Sequence, residues 1–512
     1  MLAVVKSVGL SGLDGYMVDV EVDISSGLPG FDIVGLPSLA VKEAKDRVRA
    51  AVKNCGLHFP IGRITVNLAP ANLKKEGPVY DLPIAVGILA ASGQITGEVY
   101  ANYVYIGELS LDGSVKGVTG ILPRVMVAVD RHYSGIIVPW ENRDEAALIG
   151  KVDIYPVSGL KEIVGFCLGK SEIDKHEVNI QKLFDSANSE PLKDMADVKG
   201  NHKAKRALEI AAAGGHNILM VGPPGSGKTM LAHRVRHLTP TLSLEEALET
   251  TKIYSVAGLI NQKNPLILNR PFRSPHHSAT KSGMVGGGRI PQPGEISLAH
   301  NGILFMDEFP EFNRDTLEAL RQPLEDGQVI VSRVAGSIEF PAKLMLVAAM
   351  NPCPCGFLGD STRECTCTPV EISRYRNRIS GPLLDRIDIH IEVPRISYGE
   401  LKDSNIKIES SSLIRQRVVQ ARKKQAQRFC GTSISANAQM GSNEIRSYCQ
   451  VSGSSSKLLK DAFERLQLSV RAYNRILKVA RTIADLSENE AIGPEHIAEA
   501  IQYRSFDRAY AH

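Results

Sequence analysis

This sequence has little of what marks a membrane protein, a secreted protein or a polycation. No run approaches the ~18 consecutive apolar residues of a bilayer span; Leu82–Ala91 is far shorter and contains Pro83. The opening segment MLAVVKSVGLSG lacks the long apolar stretch and small-residue cleavage site of a signal peptide. Charge of one sign is scarce: 60 Lys plus Arg stand against 56 Asp plus Glu, a formal +4. That excludes a histone-like polycation while leaving room for local basic surfaces. Eight cysteines in 512 residues do not make a disulfide framework, and four of them crowd into one loop. No repeat of roughly 20–50 residues recurs, which excludes a solenoid. The expectation is a cytoplasmic protein with no membrane partner.

Core-forming material is present. With 43% apolar and 23% charged residues the chain can bury sizeable cores, and at ~150 residues per domain its length fits about three units. Residues 1–165 alternate β-branched runs (Ala3–Val5, Met17–Val22, Ile64–Leu68, Val104–Ile106, Gly135–Val138) with helical patterns over Leu39–Asn54 and Asp81–Ala91. Residues 166–192 are polar and read as a linker or connecting helix. Residues 193–395 form a second α/β block whose apolar runs end in motif-bearing loops. Residues 396–512 are helical, with helical spacing over Asp461–Leu468 and Tyr473–Leu486 and a last helix, Glu495–Tyr503, following Pro494.

The strongest local signal is the buried-strand pattern at residues 216–221 running into Gly222-Pro223-Pro224-Gly225-Ser226-Gly227-Lys228-Thr229 and then a helix. This is the G-x-x-x-x-G-K-T loop in its required context. Its glycines let successive N–H groups converge on phosphate oxygens, and the helix N-terminus adds partial positive charge. Lys228 suits the β- and γ-phosphates of ATP, and the Thr229 hydroxyl suits Mg²⁺. Further on, Ile303–Met306 is an apolar run ending in Asp307-Glu308. Asp307 is the expected metal partner and Glu308 the expected base for the attacking water, on a parallel neighbouring strand. The pair of motifs reads as nucleoside triphosphate hydrolysis. Asn351, at the tip of a third strand over Leu344–Ala349, is placed to orient that water or merely to form a turn. Arg386, before the alternating Ile387, Ile389 and Ile391, is either an arginine finger for a neighbouring subunit or a surface ion pair.

GPPGSGKT, GILFMDE, AAMNPCPCG and LLDRIDIH, in this order, resemble an AAA+ ATPase. The intervening RPFRSPHHSATKSGMVGGGRIPQPGEISLAHNG and the later SVRAYNRILKVARTIADL closely resemble the ComM/YifB family of magnesium-chelatase-like ATPases. The resemblance implies an N-terminal Lon-protease-like, S5-related α+β domain, an AAA+ P-loop core and a helical lid. It also implies sensor-1 at Asn351, the trans-acting finger at Arg386 and a sensor-2 arginine at Arg471. By the same likeness the chain works as a homohexameric ring on single-stranded or branched DNA, as a helicase or translocase in branch migration. The alternative is a chelatase-like motor that remodels a protein partner without DNA. Two insertions are implied as pore loops: Gly283–Gly294, with Lys281 and Arg289 near it, and a hairpin over Val329–Phe340 with Arg333 as phosphate contact. Each of these cations is equally an ordinary surface charge.

In the first domain, TVNLAPANLKKEGPVYDLPIAVGIL and YIGELSLDGSVKGVTGILPR carry the Lon-like resemblance. The serine expected after Gly77-Pro78 is replaced by Val79-Tyr80-Asp81, and the segment expected to supply a lysine reads Gly120-Ile-Leu-Pro-Arg124, so no peptidase dyad is expected. Lys74, Lys75 and Arg63 are candidates for a DNA platform or for plain solubility. Cys353, Cys355, Cys365 and Cys367 form two C-x-C pairs able to hold a structural Zn²⁺, or four reduced thiols in a loop. His276 and His277 lack partners at ligand spacing and read as structural or phosphate-contacting residues. The basic stretch Arg415–Arg428 reads as a solvated helix face, a DNA contact or a subunit contact.

Overall fold

The structure is a computed structural model and describes residues 2–97, 99–129, 131, 133–187, 194–288, 291–333, 336–360, 363–396 and 409–504. The chain folds as two units, one of Met1–Ser189 with Leu244–Leu268, the other of Glu190–Ser243 with Asn269–His512.

The first unit is built on a seven-stranded mixed sheet. Its strands are β1 (Leu2–Ser11), β2 (Asp14–Ser25), β3 (Gly30–Val34), β4 (Arg63–Ala69), β5 (Tyr103–Tyr105), β6 (Gly135–Pro139) and β7 (Ile154–Val157), in the spatial order β3-β4-β2-β1-β5-β6-β7. The hairpin β1–β2 and the β2–β4 pair are antiparallel; the remaining neighbours run parallel. The helical pattern over Leu39–Asn54 is broken at Glu43, and its longer part is α1 (Ala44–Asn54). Helix α2 (Asp81–Ala91) is buried at every position, as expected of a helix apolar all round. Helix α3 (Ile121–Val129) packs on β1 and β2.

The second unit carries a five-stranded parallel sheet of β8 (Ile218–Val221), β9 (Phe272–Arg273), β10 (Ile303–Met306), β13 (Met345–Met350) and β14 (Ile389–Glu392). The spatial order is β9-β10-β13-β8-β14. Every residue of β8, β10 and β13 is buried, the signature of a parallel sheet covered on both faces. Strand β10 is parallel to β8 but not its neighbour, because β13 lies between them. That arrangement puts Asn351 between the loops that follow β8 and β10. The hairpin β11 (Gln328–Arg333) and β12 (Gly336–Pro341) connects β10 to β13, with Val331 opposite Ile338. Around the sheet run α4 (His202–Gly214) and α5 (Lys228–Leu238), with α7 (Ser411–Arg428), α8 (Val470–Leu486) and α9 (Pro494–Gln502) from the helical region. Ile414, Val418, Ile476 and Ile483 of that region share one apolar cluster with Ile218, Val347 and Ile389 of the sheet. The helices of that region are therefore part of the second unit's core.

Between α5 and β9 the chain leaves the second unit. Helix α6 (Leu244–Val256) and the residues to Leu268 belong to the first unit, where α6 packs on α3. A contiguous block over 193–395 does not describe this arrangement. Within the first unit Gly120 N donates to the Ser255 carbonyl (3.0 Å), and Lys252 pairs with Asp14 at 3.0 Å. Among the described residues no helix is long and apolar enough to cross a membrane.

Candidate active site

The strand β8 delivers its C-terminal end into Gly222–Thr229, and α5 begins at Lys228. Gly225 (φ +77°) and Gly227 (φ +91°) take left-handed backbone that side-chain-bearing residues rarely adopt, and no heavy atom lies within 4 Å of where their Cβ atoms would stand. The Ser226 hydroxyl is buried without a hydrogen-bond partner among the described residues. A concave turn of main-chain donors with open space and an unsatisfied hydroxyl fits a triphosphate.

Lys228 is buried, and its Nζ donates to Gly222 O (2.7 Å), Pro223 O (3.0 Å) and Asn351 Oδ1 (3.3 Å). Burial pulls its pKa below the usual lysine value, and the Asp307 carboxylate partly opposes that. Thr229 Oγ1 donates to Asp307 Oδ2 at 2.7 Å, so two hard oxygen ligands from separate motifs stand side by side. Such a pair fits Mg²⁺, which takes one or two protein oxygens and keeps the rest of its shell for water and phosphate. Glu308 follows in left-handed backbone (φ +51°), a strained state for a residue with a side chain and one that clusters at functional sites. Its carboxylate lies 3.1 Å from His277 Nδ1.

The geometry therefore gathers Lys228, Thr229, Asp307, Glu308 and Asn351 at one end of the parallel sheet, where β8, β10 and β13 all end. Arg386 stands elsewhere in the same unit. It is buried, ion-paired with Glu325, and donates through Nη1 to Pro382 O at 2.7 Å. Arg471, exposed on α8, approaches the other Glu325 oxygen at 3.8 Å. The Arg386 guanidinium holds the Glu325 carboxyl below its usual pKa. Glu325 is missed by sequence reasoning, because it lies in no motif and only the folded chain brings it to Arg386 and Arg471; His277, read as a structural or phosphate-contacting residue, lies instead against Glu308. Nearby, Asp388 pairs with Arg475 and lies 3.2 Å from His216. Burial alone would raise its pKa, but Arg475 and His216 hold it well below the carboxylate range.

The proposed nucleic-acid residues are not drawn together in the same way. Lys281 is exposed at the start of a short helix capped by Thr280. Arg333 ends β11 opposite Gly336, and its side chain lies outside the described residues, as does Arg289. The glycine-rich insertion holds a small antiparallel ribbon, Gly286–Gly287 with Gln292–Pro293. Two other basic features are corrected by their burial and pairing. Lys75 is buried and donates to Leu73 O (2.8 Å), so it does not belong to a surface platform. In α7, Arg417 pairs with Glu209 and Glu409, Arg422 donates to Ala212 O, and Arg428 pairs with Asp485. The arginines of that helix are largely spent on holding the unit together.

The four loop cysteines converge: the Sγ atoms of Cys353, Cys355, Cys365 and Cys367 lie within 4.8 Å of one another. In the first unit Val79 and Tyr80 are buried after Gly77-Pro78, and Arg124 is buried as well.

A family model described as magnesium chelatase, subunit ChlI, matches residues 194–401, with companion ChlI models over residues 20–142 and, for the C-terminal part, residues 408–504. The protein YifB of Escherichia coli (strain K12) is 46% identical over 512 residues, covering 100% of this chain and 98% of that protein. The competence protein ComM of Haemophilus influenzae is 45% identical over 509 residues, covering 99% and 98%. A Lon protease of Trichlorobacter lovleyi is 23% identical over 184 residues, 34% of this chain and 22% of the protease.

Proposed function

The chain belongs to the ComM/YifB family of magnesium-chelatase-like AAA+ proteins, and on that premise we propose that it is an ATP-hydrolysing motor that works on branched or single-stranded DNA as a ring of six subunits. The observation that supports the ATP-hydrolysing part of the reading is the 2.7 Å contact of Thr229 with Asp307 beside a glycine turn shaped for phosphate.

In this reading the main chain of Gly222–Gly227 cradles the phosphates, and Lys228 gives up its carbonyl partners to neutralise the β- and γ-oxygens. Thr229 and Asp307 would hold Mg²⁺, which would supply charge neutralisation at the transferred phosphoryl group. Glu308 accepts the proton of the attacking water, and Asn351 orients that water. Arg386 exchanges Glu325 for a neighbouring subunit's γ-phosphate, and Arg471, sharing the same glutamate, reports the change to the lid. Hydrolysis then moves the hairpin β11–β12, whose second strand leads into β13 and Asn351, and Arg333 at its tip grips DNA phosphate with Lys281 and Arg289 on the second loop. The four loop cysteines hold a structural Zn²⁺. The Lon-like first unit, with Val79 where a nucleophile would be needed, has no peptidase role.

The test is the ATPase rate of the full chain with and without single-stranded and forked DNA. DNA stimulation that falls with salt, and that Arg333→Glu diminishes while basal turnover survives, is the expected result. Turnover indifferent to DNA sinks the DNA role and favours a chelatase-like motor acting on a protein partner.

A further inference from the structure

The loop between β13 and the helix Pro369–Arg376 has no strand or helix of its own among the described residues. A connection of that length inside a compact unit needs something to hold it. Its sequence, PCPCGFLGDSTRECTCT, offers only Phe357 and Leu358 as large apolar side chains, too few to bury a core. What converges instead is sulfur. Cys353 Sγ lies 3.4 Å from Cys355 Sγ and 3.6 Å from Cys365 Sγ, Cys355 and Cys365 are 3.6 Å apart, and Cys355 N donates to Cys367 Sγ at 3.3 Å. These separations exceed a disulfide bond of about 2.05 Å and approach the ~3.8 Å edge of a tetrahedron with Zn–S bonds of about 2.3 Å.

The loop also leans on the phosphate-binding turn at three places. Asn351, at its start, accepts from Lys228 Nζ. At Gly356 (φ +86°) a Cβ would stand 2.6 Å from Pro224 Cδ, so only glycine lets the two loops meet there. Arg395 donates to Pro224 O at 3.3 Å and reaches the buried Asp360 carboxylate of the cysteine loop at 3.9 Å. The walls of the triphosphate cradle are therefore set partly by a loop that has no core.

We propose that Cys353, Cys355, Cys365 and Cys367 form a tetrathiolate zinc clasp that buttresses the P-loop, so that zinc occupancy sets the affinity for ATP. This rests on the nucleotide-binding reading above. The ion stays remote from the chemistry; its part is to fix the loop against Pro224 and Asn351, and its loss frees the loop to move away.

The full chain, purified reduced and without added metal, should carry one zinc per subunit by elemental analysis. Stripping it with a mercurial in the presence of a zinc indicator should weaken binding of a fluorescent ATP analogue on the order of tenfold, with recovery on adding zinc back. Replacing zinc by cobalt should give the visible spectrum of a tetrahedral thiolate site. Protein without zinc, or with the absorption of an iron–sulfur cluster, overturns the clasp. So does folded, stripped protein that binds the nucleotide as before. If stripping unfolds the chain, Arg395→Ala decides: zinc retained with weakened nucleotide binding upholds the coupling, and unchanged binding ends it. Lys228→Ala separates the two readings. Nucleotide binding insensitive to Lys228→Ala refutes the phosphate site itself, whereas Lys228-dependent binding that ignores zinc refutes only the clasp.

Discussion

Both units bury carboxylates, and Glu145 and Asp81 of the first resolve the cost in the opposite way to Asp388 of the second. In the first unit burial dominates. It pushes Glu145 up to about 7 against hydrogen bonds from Ser255 and the Leu122 N–H, pushes Asp81 up to about 6 against Arg47, and pulls the fully enclosed Arg124 down to about 10. In the second unit Arg475 with His216 keeps Asp388 ionised in spite of its burial, while burial still pulls Lys228, Lys478 and His216 down. Burying a charge without full compensation is a cost to folding; burying it within a network preserves the charge for use. Asp388 stays charged at neutral pH, in the same unit as the glycine turn and Asp307. The first unit holds a Lon-like frame whose buried charges serve packing.

The largest effect that sharpens this contrast is on turnover. Glu308→Gln should lower the ATP hydrolysis rate by about 10²–10⁴ while calorimetric titration still detects ATP, because only the proton acceptor is lost. Glu145→Gln in the first unit should leave turnover unchanged. Loss of ATP binding in Glu308→Gln would refute its role as base.

Next in size is the paired charge. Asp388→Asn leaves Arg475 without its counter-ion next to buried His216 and should cost about 3–5 kcal/mol in thermal or denaturant unfolding. Asp388 has a depressed folded-state pKa, so its stabilisation is present above the unfolded value of ~3.9 and fades as pH falls toward the folded value. The variant should show a shallower loss of stability in acid. An Asp388→Asn protein as stable as the wild type would place this group with those of the first unit.

The smallest effect has the opposite sign with pH. Glu145 has a raised folded-state pKa, so its contribution is complete below the unfolded value of ~4.3 and is lost as pH rises through about 7, at most roughly 3–4 kcal/mol in all. Trp140, the single tryptophan, lies in this unit, and its emission reports the unfolding. Glu145→Gln should flatten the fall in stability between about pH 4 and pH 7, the window set by the two values. An unchanged slope would remove the contrast between the units.

The active-site motifs were legible because their chemistry is local. Gly225 and Gly227 need left-handed backbone, Lys228 must open a helix, and Asp307 must end a buried strand; each demand is met within a few residues. The alternating β-branched runs predicted the central strands for a similar reason, although their ends extended further, as in Leu2–Ser11 for Ala3–Val5. What escaped depends on residues far apart in sequence. Glu325 meets Arg386 and Arg471 only through packing, and the neighbour relation of β8 and β10 was misjudged because β13, made later, inserts between them. The charge pattern of Arg415–Arg428 resembles a solvated face, yet its partners Glu209 and Asp485 come from α4 and α8. Lys75 looks like its exposed neighbour Lys74 until the carbonyls that enclose it are in place.

The excursion of Leu244–Leu268 into the first unit imposes an order on synthesis. That unit can finish before the second, yet not when Ser189 is made, because the helix that packs on α3 and supplies Ser255 to Glu145 is encoded beyond the P-loop. At translation rates of about 5–20 residues per second, the wait between Ser189 and Leu268 lasts roughly 4–16 s. During that interval α3 awaits the helix Leu244–Val256, while β8 and α5 of the second unit are already made. A fragment cut after Ser189 lacks this helix, and its complement carries the helix with nothing to cover. The two units are thus separate in structure and inseparable in manufacture.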